Sequence, residues 1–338
     1  FLLVPQAAAM HRYTVMIPRT SNFFPKWDVT LFVLFFIMSS ISRCPSGIFM
    51  SEPKLAGLRI VCADIRKIYK KYSEEMREQM EFRPCIDIHN GKVKQIVGGS
   101  LKDLGDQAQE NFVSEQDAAF YAKLYQKNHL KGGHIILLNA VDSPYFEATK
   151  EQALTALRAY PGGLQVGGGI TSENASEYLE AGASHVIVTS YVFREGRIDY
   201  DRLGRLVQTV GKKHLVLDVS CKRVGEQYLV VTDRWQKLTE EALDETLLQK
   251  LSAYCDEFLI HAVDVEGKVQ GIEQELVKTI GNYRGNLVTY AGGVHSMEDL
   301  HLLKKLGQNR MNVTIGSALD LFGGSMNWEE VLSVCSEK

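Results

Sequence analysis

The sequence is poor in features that mark disulfide-linked, zinc-binding, membrane-spanning and nucleic-acid-binding proteins. Its six cysteines include no CxxC pair, which is typical of reduced thiols rather than of a disulfide framework or a zinc site. Residues 29–38 form an apolar run interrupted only by Thr30, too short to span a membrane. The net charge is −3 and no block of lysine and arginine occurs, so neither a membrane nor nucleic acid is an expected partner.

Motifs for cofactors and covalent catalysis are also absent from the sequence. No GxGxxG motif follows the first predicted strand, and no nucleophile elbow occurs. Four histidines stand at the ends of predicted strands without the spacing of metal ligands, and we interpret most of them as structural: His89, His134, His261 and His295. We therefore expect neither a metal nor a cofactor.

The first part of the chain differs in composition from the rest. Residues 1–51 hold four basic residues and one acidic residue, a local net charge of +3, with frequent serine and threonine. This composition is typical of an organelle transit peptide, and the apolar run also permits a secretory signal. We predict a targeting or upstream extension over residues 1–63, a charged linker or helix over 64–81 and a catalytic domain over 82–338. A transit peptide would place the protein in the plastid; otherwise the cytoplasm is expected.

From residue 82 onward, apolar β-branched runs alternate with amphipathic segments. The runs are nearly continuous in apolar residues, as expected for parallel strands buried on both faces. Eight strands are predicted, at residues 83–88, 134–138, 164–166, 185–188, 214–219, 257–261, 287–290 and 312–315. Helical patterns occur at 115–127, 150–159, 172–180, 200–210, 240–254, 273–282 and 297–306. The sequence predicts an α/β fold, a (β/α)8 TIM barrel, in preference to a doubly wound open sheet.

The two halves of the predicted barrel repeat the same features in the same order. Short extra runs at 94–97 and 227–231 follow the first and fifth strands, and each predicts a hairpin over one rim. Asp87 ends the first strand and Asp218 ends the fifth, 131 residues later. Glycine pairs recur at an offset of 124 residues, and small hydroxyl-bearing strand ends at an offset of 127. These recurrences indicate an internal duplication of a half-barrel.

The glycine pairs and their neighbouring hydroxyl residues predict two phosphate sites. A glycine pair between a strand and a helix lets the backbone approach a phosphate and directs amide groups at it. Each pair alone is better explained by a tight turn, but duplication beside a small strand end favours a phosphate site in each half. The residues are Gly168, Gly169, Thr189 and Ser190 in one half, and Gly292, Gly293, Gly316 and Ser317 in the other. Two such sites on opposite rims imply a long substrate with a phosphate at each end.

Asp87 and Asp218 are the candidate catalytic residues. Either carboxylate alone is more often a helix cap or an ion-pair partner. Their strands are predicted to lie opposite each other at one mouth, between the two phosphate sites. Two opposed carboxylates suit proton transfer, one donating while the other abstracts, if their environments separate their pKa values. Isomerisation without a cofactor is the simplest reaction that these features support.

Six segments of the chain carry a resemblance to a known family: PCIDIHNGKVKQIV (84–97), LQVGGGI (164–170), HVIVTSYVF (185–193), VTDRWQ (231–236), YAGGV (290–294) and VTIGSALD (313–320). Together they resemble the eukaryotic ProFAR isomerases of histidine biosynthesis, over about residues 82 to 325. The resemblance implies an Amadori rearrangement of phosphoribosylformimino-aminoimidazole carboxamide ribotide, a substrate with two phosphates. It implies that Asp87 is the general base at the sugar C2 and that Asp218 is the general acid that opens the furanose ring. It also implies that Trp235 stacks on the imidazole carboxamide.

Two departures from the bacterial members of that family bear on the site. Where those commonly have a threonine after the histidine at the end of strand six, this chain has Ala262, so the hydroxyl that would help to position Asp218 is missing or moved. Where they often have an arginine after the third glycine and isoleucine, this chain has Thr171, and Arg234 or Lys94 is a candidate to replace that contact.

Other functions remain open at the level of sequence. The cyclase subunit of imidazole glycerol phosphate synthase shares the duplicated barrel and both aspartates, although its strand-one sequence and glutaminase interface are not evident here. Phosphoribosylanthranilate isomerisation is related chemistry. A non-catalytic barrel that binds sugar phosphates is the alternative from a different class. In each case we expect a small phosphorylated ligand, and for the isomerase a monomer that takes a bisphosphate substrate.

Overall fold

The computed structural model describes residues 79–336, except residues 98–99, 102–106 and 269. The expectations for the extension over 1–63, and for the linker up to residue 78, lie outside these described residues. In chain order the strands are β1 Cys85–His89, β2 Lys92–Ile96, β3 Glu110–Val113, β4 Gly133–Leu137, β5 Leu164–Gly167, β6 His185–Val188, β7 Phe193–Arg194, β8 Arg197–Ile198, β9 Leu215–Asp218, β10 Cys221–Val224, β11 Gln227–Thr232, β12 Lys237–Ala242, β13 Glu257–His261, β14 Leu287–Ala291 and β15 Met311–Thr314.

Eight of these strands form a closed parallel barrel. They run β1, β4, β5, β6, β9, β13, β14 and β15 around the sheet, in the order of the chain. The ring is closed beside β15, where the amide of Arg83 donates to the carbonyl of Val313 at 2.8 Å and the amide of Val313 donates to that of Glu81 at 3.0 Å. Three strands separate β1 from β9 in either direction, so Asp87 and Asp218 end opposite strands. The predicted (β/α)8 barrel is confirmed.

Helices connect the barrel strands on the outside. Those in the described residues are α1 Ala118–Lys127, α2 Phe146–Ala159, α3 Ala175–Glu180, α4 Tyr200–Val210, α5 Glu245–Leu251, α6 Gln274–Gly281, α7 Met297–Leu306 and α8 Trp328–Ser336. Four of them begin at a side chain that accepts the amide three residues on: Asp117, Asp199, Asp244 and Ser296. None of the helices in this part of the chain has the length and hydropathy of a membrane span.

Two excursions extend the barrel at its carboxyl rim. After β1 the chain turns back as β2, which is antiparallel to β1 and pairs with β3. After β9 it forms a separate three-stranded sheet of β10, β11 and β12. Both predicted hairpin runs are confirmed. The helix predicted over 240–254 is wrong at its start, because residues 240–242 belong to β12 and the helix begins only after the cap Asp244.

A buried ion pair lies at the opposite end of the barrel from the aspartates. Arg83, just before β1, contacts Glu257 at the start of β13, with 3.2 Å between Nη1 and Oε2. Gln165 donates to the same oxygen at 2.8 Å, and the hydroxyl of Thr289 donates to Oε1. Because both charged groups are buried, these extra hydrogen bonds are needed to offset the loss of hydration.

Candidate active site

Two adjoining cavities lie at the carboxyl ends of the barrel strands. Their volumes are about 260 Å³ and about 150 Å³. Both linings include Asp87, Gln95, His261 and Glu266. The shared residues make the two cavities compartments of one elongated site, which is the position expected for the site of a TIM barrel.

The predicted site residues divide between the two compartments by half-barrel. The larger compartment is lined by Asp218, Trp235 and the first-half phosphate residues Gly168, Gly169, Thr189 and Ser190. The smaller is lined by the second-half residues Gly292, Gly293, Gly316 and Ser317. The structure thus brings together every residue predicted for the site, with Asp87 where the compartments meet. The roles of these residues in binding and catalysis stay predictions.

The residues predicted to hold phosphate form a first-half cradle, Gly168, Gly169, Thr189 and Ser190, and a second-half cradle, Gly292, Gly293, Gly316 and Ser317. One glycine in each cradle is required by both its conformation and the space around it. Gly168 and Gly293 have φ angles of +103° and +77°, in the region that favours glycine. A Cβ on Gly168 would lie 2.2 Å from the carbonyl oxygen of Leu137, and one on Gly293 would lie 2.1 Å from that of Gly271. No side chain fits at either place, so bare backbone lines each compartment.

Asp87 occupies a site that favours its protonated form. Burial raises the pKa of Asp87 to about 7, although hydrogen bonds from Cys85 and Gln95 lower it. The Gln95 contact is long, 3.4 Å from Nε2 to Oδ2, and it comes from the hairpin strand β2. A carboxyl group with a pKa near neutrality both accepts and returns a proton readily at physiological pH.

Asp218 is held in place by Ser220, two residues further along. The amide of Ser220 donates to Asp218 Oδ1 at 2.8 Å, and the Ser220 hydroxyl donates to the same oxygen. That hydroxyl lies 3.1 Å from Nδ1 of His261 and accepts the backbone amide of His261 at 3.0 Å. Ser220, in the connection between β9 and β10, therefore places beside Asp218 the kind of hydroxyl group that Ala262 lacks.

Glu266 is a third carboxyl group of the site, and the sequence prediction missed it. It follows β13 and lines both compartments, and a Cβ on Gly292 would lie 3.2 Å from its Oε2. Burial raises the pKa of Glu266 to about 7, and the charge of Asp87 acts in the same direction. The charge state of Glu266 therefore depends on that of Asp87, and the two carboxyl groups are expected to titrate as a pair.

Gln95 was also missed, although the extra run over 94–97 contains it. Its side chain is only 4% exposed and reaches both Cys85 and Asp87. A Cβ on Gly316 would lie 2.2 Å from Gln95 Oε1, so the second-half cradle and the amide are in close contact. The signal in the sequence was a polar residue within a run that is expected to be buried.

Trp235 and Arg234 lie in the loop between β11 and β12. The Trp235 ring is 5.2 Å from that of His261 at an angle of 50°, and both residues line the larger compartment. The amide of Asp233 donates to Ser190 Oγ at 2.9 Å, which ties this loop to the first-half cradle. Arg234 lines the same compartment. Lys94 is buried but forms an ion pair with the exposed Glu110, and neither of these two residues lines a compartment. Of the two candidates to replace the missing arginine, the geometry favours Arg234.

The sequence predicted that most of the four histidines at strand ends are structural, but three of the four line the site. His134, His261 and His295 line the smaller compartment. Burial lowers the pKa of His134 to about 3, with the nearby His261 adding to the effect. Burial also lowers the pKa of His261, against the attraction of Asp218. Both rings are therefore neutral hydrogen-bonding groups rather than charges at physiological pH.

The fold and site together define a class: duplicated (β/α)8 barrels with two opposed aspartates at a site made of two glycine-lined compartments. Residues 81–326 match the family described as histidine biosynthesis protein, and the chain belongs to this family.

Named relatives agree with that assignment. A chloroplastic 1-(5-phosphoribosyl)-5-((5-phosphoribosylamino)methylideneamino)imidazole-4-carboxamide isomerase of Medicago truncatula is 53% identical over 258 residues, 75% of this chain and 81% of the relative. Enzymes of the same name from Neurospora crassa and Saccharomyces cerevisiae are 46% and 41% identical, over 72% and 73% of this chain and 93% and 94% of their own lengths.

Proposed function

We propose that this protein is the ProFAR isomerase of histidine biosynthesis, converting ProFAR to PRFAR by an Amadori rearrangement. The observation that carries the proposal is the placement of Asp87 and Asp218 on opposite strands, with one glycine-lined cradle in each compartment. The relatives' shared name contains two phosphoribosyl groups, which supplies one phosphate for each cradle.

Ring opening is the first chemical step. Asp218, protonated on its free oxygen, donates that proton to the furanose ring oxygen as the bond from C1 to this oxygen breaks. The lone pair of the attached nitrogen forms the C1–N double bond of a protonated Schiff base. Asp218 becomes a carboxylate, which the two Ser220 donors on Oδ1 stabilise.

Proton transfer between carbons follows. Asp87 as carboxylate takes the proton from C2, and the electron pair forms a C1–C2 double bond while the Schiff-base nitrogen becomes neutral. Asp87 then returns this proton to C1, and Asp218 takes the proton of the C2 hydroxyl as the ketone forms. Both aspartates end in the protonation states in which they started, so the reaction as written requires no cofactor. The raised pKa of Asp87 suits both its accepting and its returning step.

Substrate binding uses groups from both halves of the barrel. Backbone amides of the glycine turns and the hydroxyls of Thr189, Ser190 and Ser317 hold the phosphates. Arg234 contributes positive charge in the first-half compartment. Trp235 packs on the imidazole carboxamide beside His261.

The direct test is product analysis with purified protein and ProFAR, with and without ammonia. An isomerase gives a product of unchanged mass in the absence of ammonia. A ring-closed product that requires ammonia would instead identify the cyclase activity, and binding without turnover would identify a non-catalytic barrel. Turnover of phosphoribosylanthranilate under the same conditions tests the remaining alternative.

We also propose that the amino-terminal extension directs the protein to the plastid. The proposal is supported by its basic, acid-poor composition and by the chloroplastic designation of the Medicago truncatula relative. Fusion of residues 1–63 to a fluorescent protein in plant cells tests it; fluorescence confined to the cytosol or the secretory pathway would count against it.

We also propose that the catalytic domain is the one predicted from the sequence over 82–338, and that the protein is a monomer. Within the predicted linker, Met80 is fully buried against the barrel, so a truncated domain should begin no later than residue 79. Light scattering of the full chain should give a mass near 37.9 kDa if the protein is a monomer.

A further inference from the structure

Ser220 lies where β9 passes into β10, in a fully buried position. Its backbone is fixed on two sides: its carbonyl accepts the amide of Val231 at 2.8 Å, and the next residue, Cys221, accepts the amide of Val263 at 3.1 Å. The residue before it, Val219, donates to Leu259 at 2.9 Å. The hydroxyl is therefore carried by a rigid backbone between the end of β9 and the end of β13.

The hydrogen bonds of this hydroxyl determine where its proton lies. A serine hydroxyl has one proton to donate and two lone pairs to accept with. Asp218 Oδ1 accepts hydrogen bonds both when the carboxyl group is ionised and when it carries its proton on Oδ2, and it is the partner of the shortest of the three contacts. The Ser220 hydroxyl therefore donates to Asp218 and accepts from His261, through both the backbone amide at 3.0 Å and Nδ1 at 3.1 Å.

This arrangement also determines the tautomer of His261. Since Nδ1 must be the donor to Ser220, the neutral imidazole carries its proton on Nδ1 and leaves Nε2 as an acceptor. Burial keeps the ring neutral by lowering its pKa. The three groups form one directed chain, from His261 through Ser220 to Asp218 Oδ1.

We propose that Ser220 is a positioning residue for Asp218: its hydroxyl, oriented by His261, fixes Oδ1 so that Oδ2 is the oxygen that exchanges a proton with the substrate. The inference rests on the proposed isomerase function. Among the described residues no protein group hydrogen-bonds to Oδ2, whereas Oδ1 accepts two bonds. Ser220 thereby provides in this chain the hydroxyl that is absent at Ala262.

The kinetic test compares Ser220→Ala, Ser220→Thr and a matched control. Loss of a hydrogen bond to a charged group predicts that Ser220→Ala lowers kcat on the order of 10- to 100-fold while KM changes less than about threefold. Ser220→Thr keeps the hydroxyl and should restore most of kcat. Ser114→Ala removes another buried hydroxyl, the partner of Tyr121 at 2.9 Å, and should leave kcat unchanged.

A double-mutant cycle with Asp218→Asn separates positioning from a general structural effect. If Ser220 acts through the Asp218 carboxylate, Ser220→Ala should reduce kcat less than about twofold in the Asp218→Asn background. A loss of equal size in both backgrounds would overturn the proposal, as would an unchanged kcat in Ser220→Ala with wild-type Asp218.

The tautomer of His261 gives a readout that does not depend on activity. Two-bond ¹H–¹⁵N correlation spectra of ¹⁵N-histidine-labelled protein, assigned with His261→Gln, should show His261 protonated on Nδ1 in the wild type and in Ser220→Thr. In Ser220→Ala the ring should lose this preference. A wild-type ring protonated on Nε2 would overturn the proposal. Failure of the wild type to isomerise ProFAR would overturn the proposed function but leave this tautomer prediction intact.

Discussion

Replacement of Asp87 by asparagine should lower the catalytic rate by at least about 100-fold and stabilise the protein at alkaline pH. Burial raises the pKa of Asp87 from 3.8 to about 7, so the folded protein holds this proton more tightly than the unfolded chain does. The ionised carboxylate is therefore a source of instability in the folded state. Asparagine has the same shape and never ionises, and it also removes the charge that raises the pKa of Glu266.

The magnitude follows from the pKa difference. About three pKa units correspond to about 4 kcal/mol when the group is ionised in both states. Because solvent in the cavity reaches the carboxylate, we expect about half of this, on the order of 2 kcal/mol. The destabilisation by the ionised carboxylate increases with pH. It is absent below the unfolded pKa, grows as the pH rises through the interval from 3.8 to about 7, and is complete above it.

Urea unfolding of the wild type and Asp87→Asn at pH 5 and pH 8 measures this difference. The free energy of unfolding of Asp87→Asn should exceed that of the wild type by about 2 kcal/mol at pH 8, and by about a third of that amount at pH 5. Asp142→Asn, which changes an exposed carboxylate, should shift stability by less than about 0.5 kcal/mol at either pH. An equal gain at both pH values, or a loss at pH 8, would refute the reasoning.

Three further predictions concern the buried ion pair, the glycine cradles and the aromatic residue of the site. Glu257→Gln removes the buried partner of Arg83 and leaves only the exposed Glu81 beside its charge, so it should lower the free energy of unfolding by about 3 kcal/mol. Glu240→Gln, in an exposed pair with Arg197, should cost less than about 1 kcal/mol, and equal losses would contradict this. Gly293→Ala and Gly323→Ala both place alanine at a positive φ, but only the first meets a backbone atom. Gly293→Ala should therefore raise KM more than about tenfold and Gly323→Ala should not, and equal KM values would argue against a phosphate cradle. Trp235→Ala should raise KM about 10- to 100-fold, the range of a lost base-stacking contact, with Trp235→Phe intermediate; an unchanged KM would exclude stacking on the substrate.

The barrel was predictable because its strands are buried on both faces. A short apolar run such as the one in β13 is difficult to assign to any element other than a buried parallel strand. All eight barrel strands were located from runs of this kind. The excursions are harder to predict, since their strands have one solvent-facing side. β12 has the sequence KLTEEA, in which Thr239 is the only buried residue, so its pattern cannot distinguish a strand from the first turn of a helix.

The site was predictable to the extent that it is duplicated. Asp87 and Asp218 stand out only as a pair, and the glycine turns only as two copies. Glu266 and Ser220 belong to no repeat, and the recurrence of the extra runs at 94–97 and 227–231 does not single out Gln95. Ser220 contacts His261, 41 residues further along, and no local pattern carries that information.

The central claim is that two opposed aspartates carry out the isomerisation as a unit. It is tested most directly by the single-turnover rate of conversion of ProFAR to PRFAR in the wild type, Asp87→Asn, Asp218→Asn and the double variant. Each single replacement should lower the rate on the order of 10²- to 10⁴-fold, and the double variant should be little slower than the slower single one. A rate above about a tenth of the wild-type rate in either single variant would contradict the account.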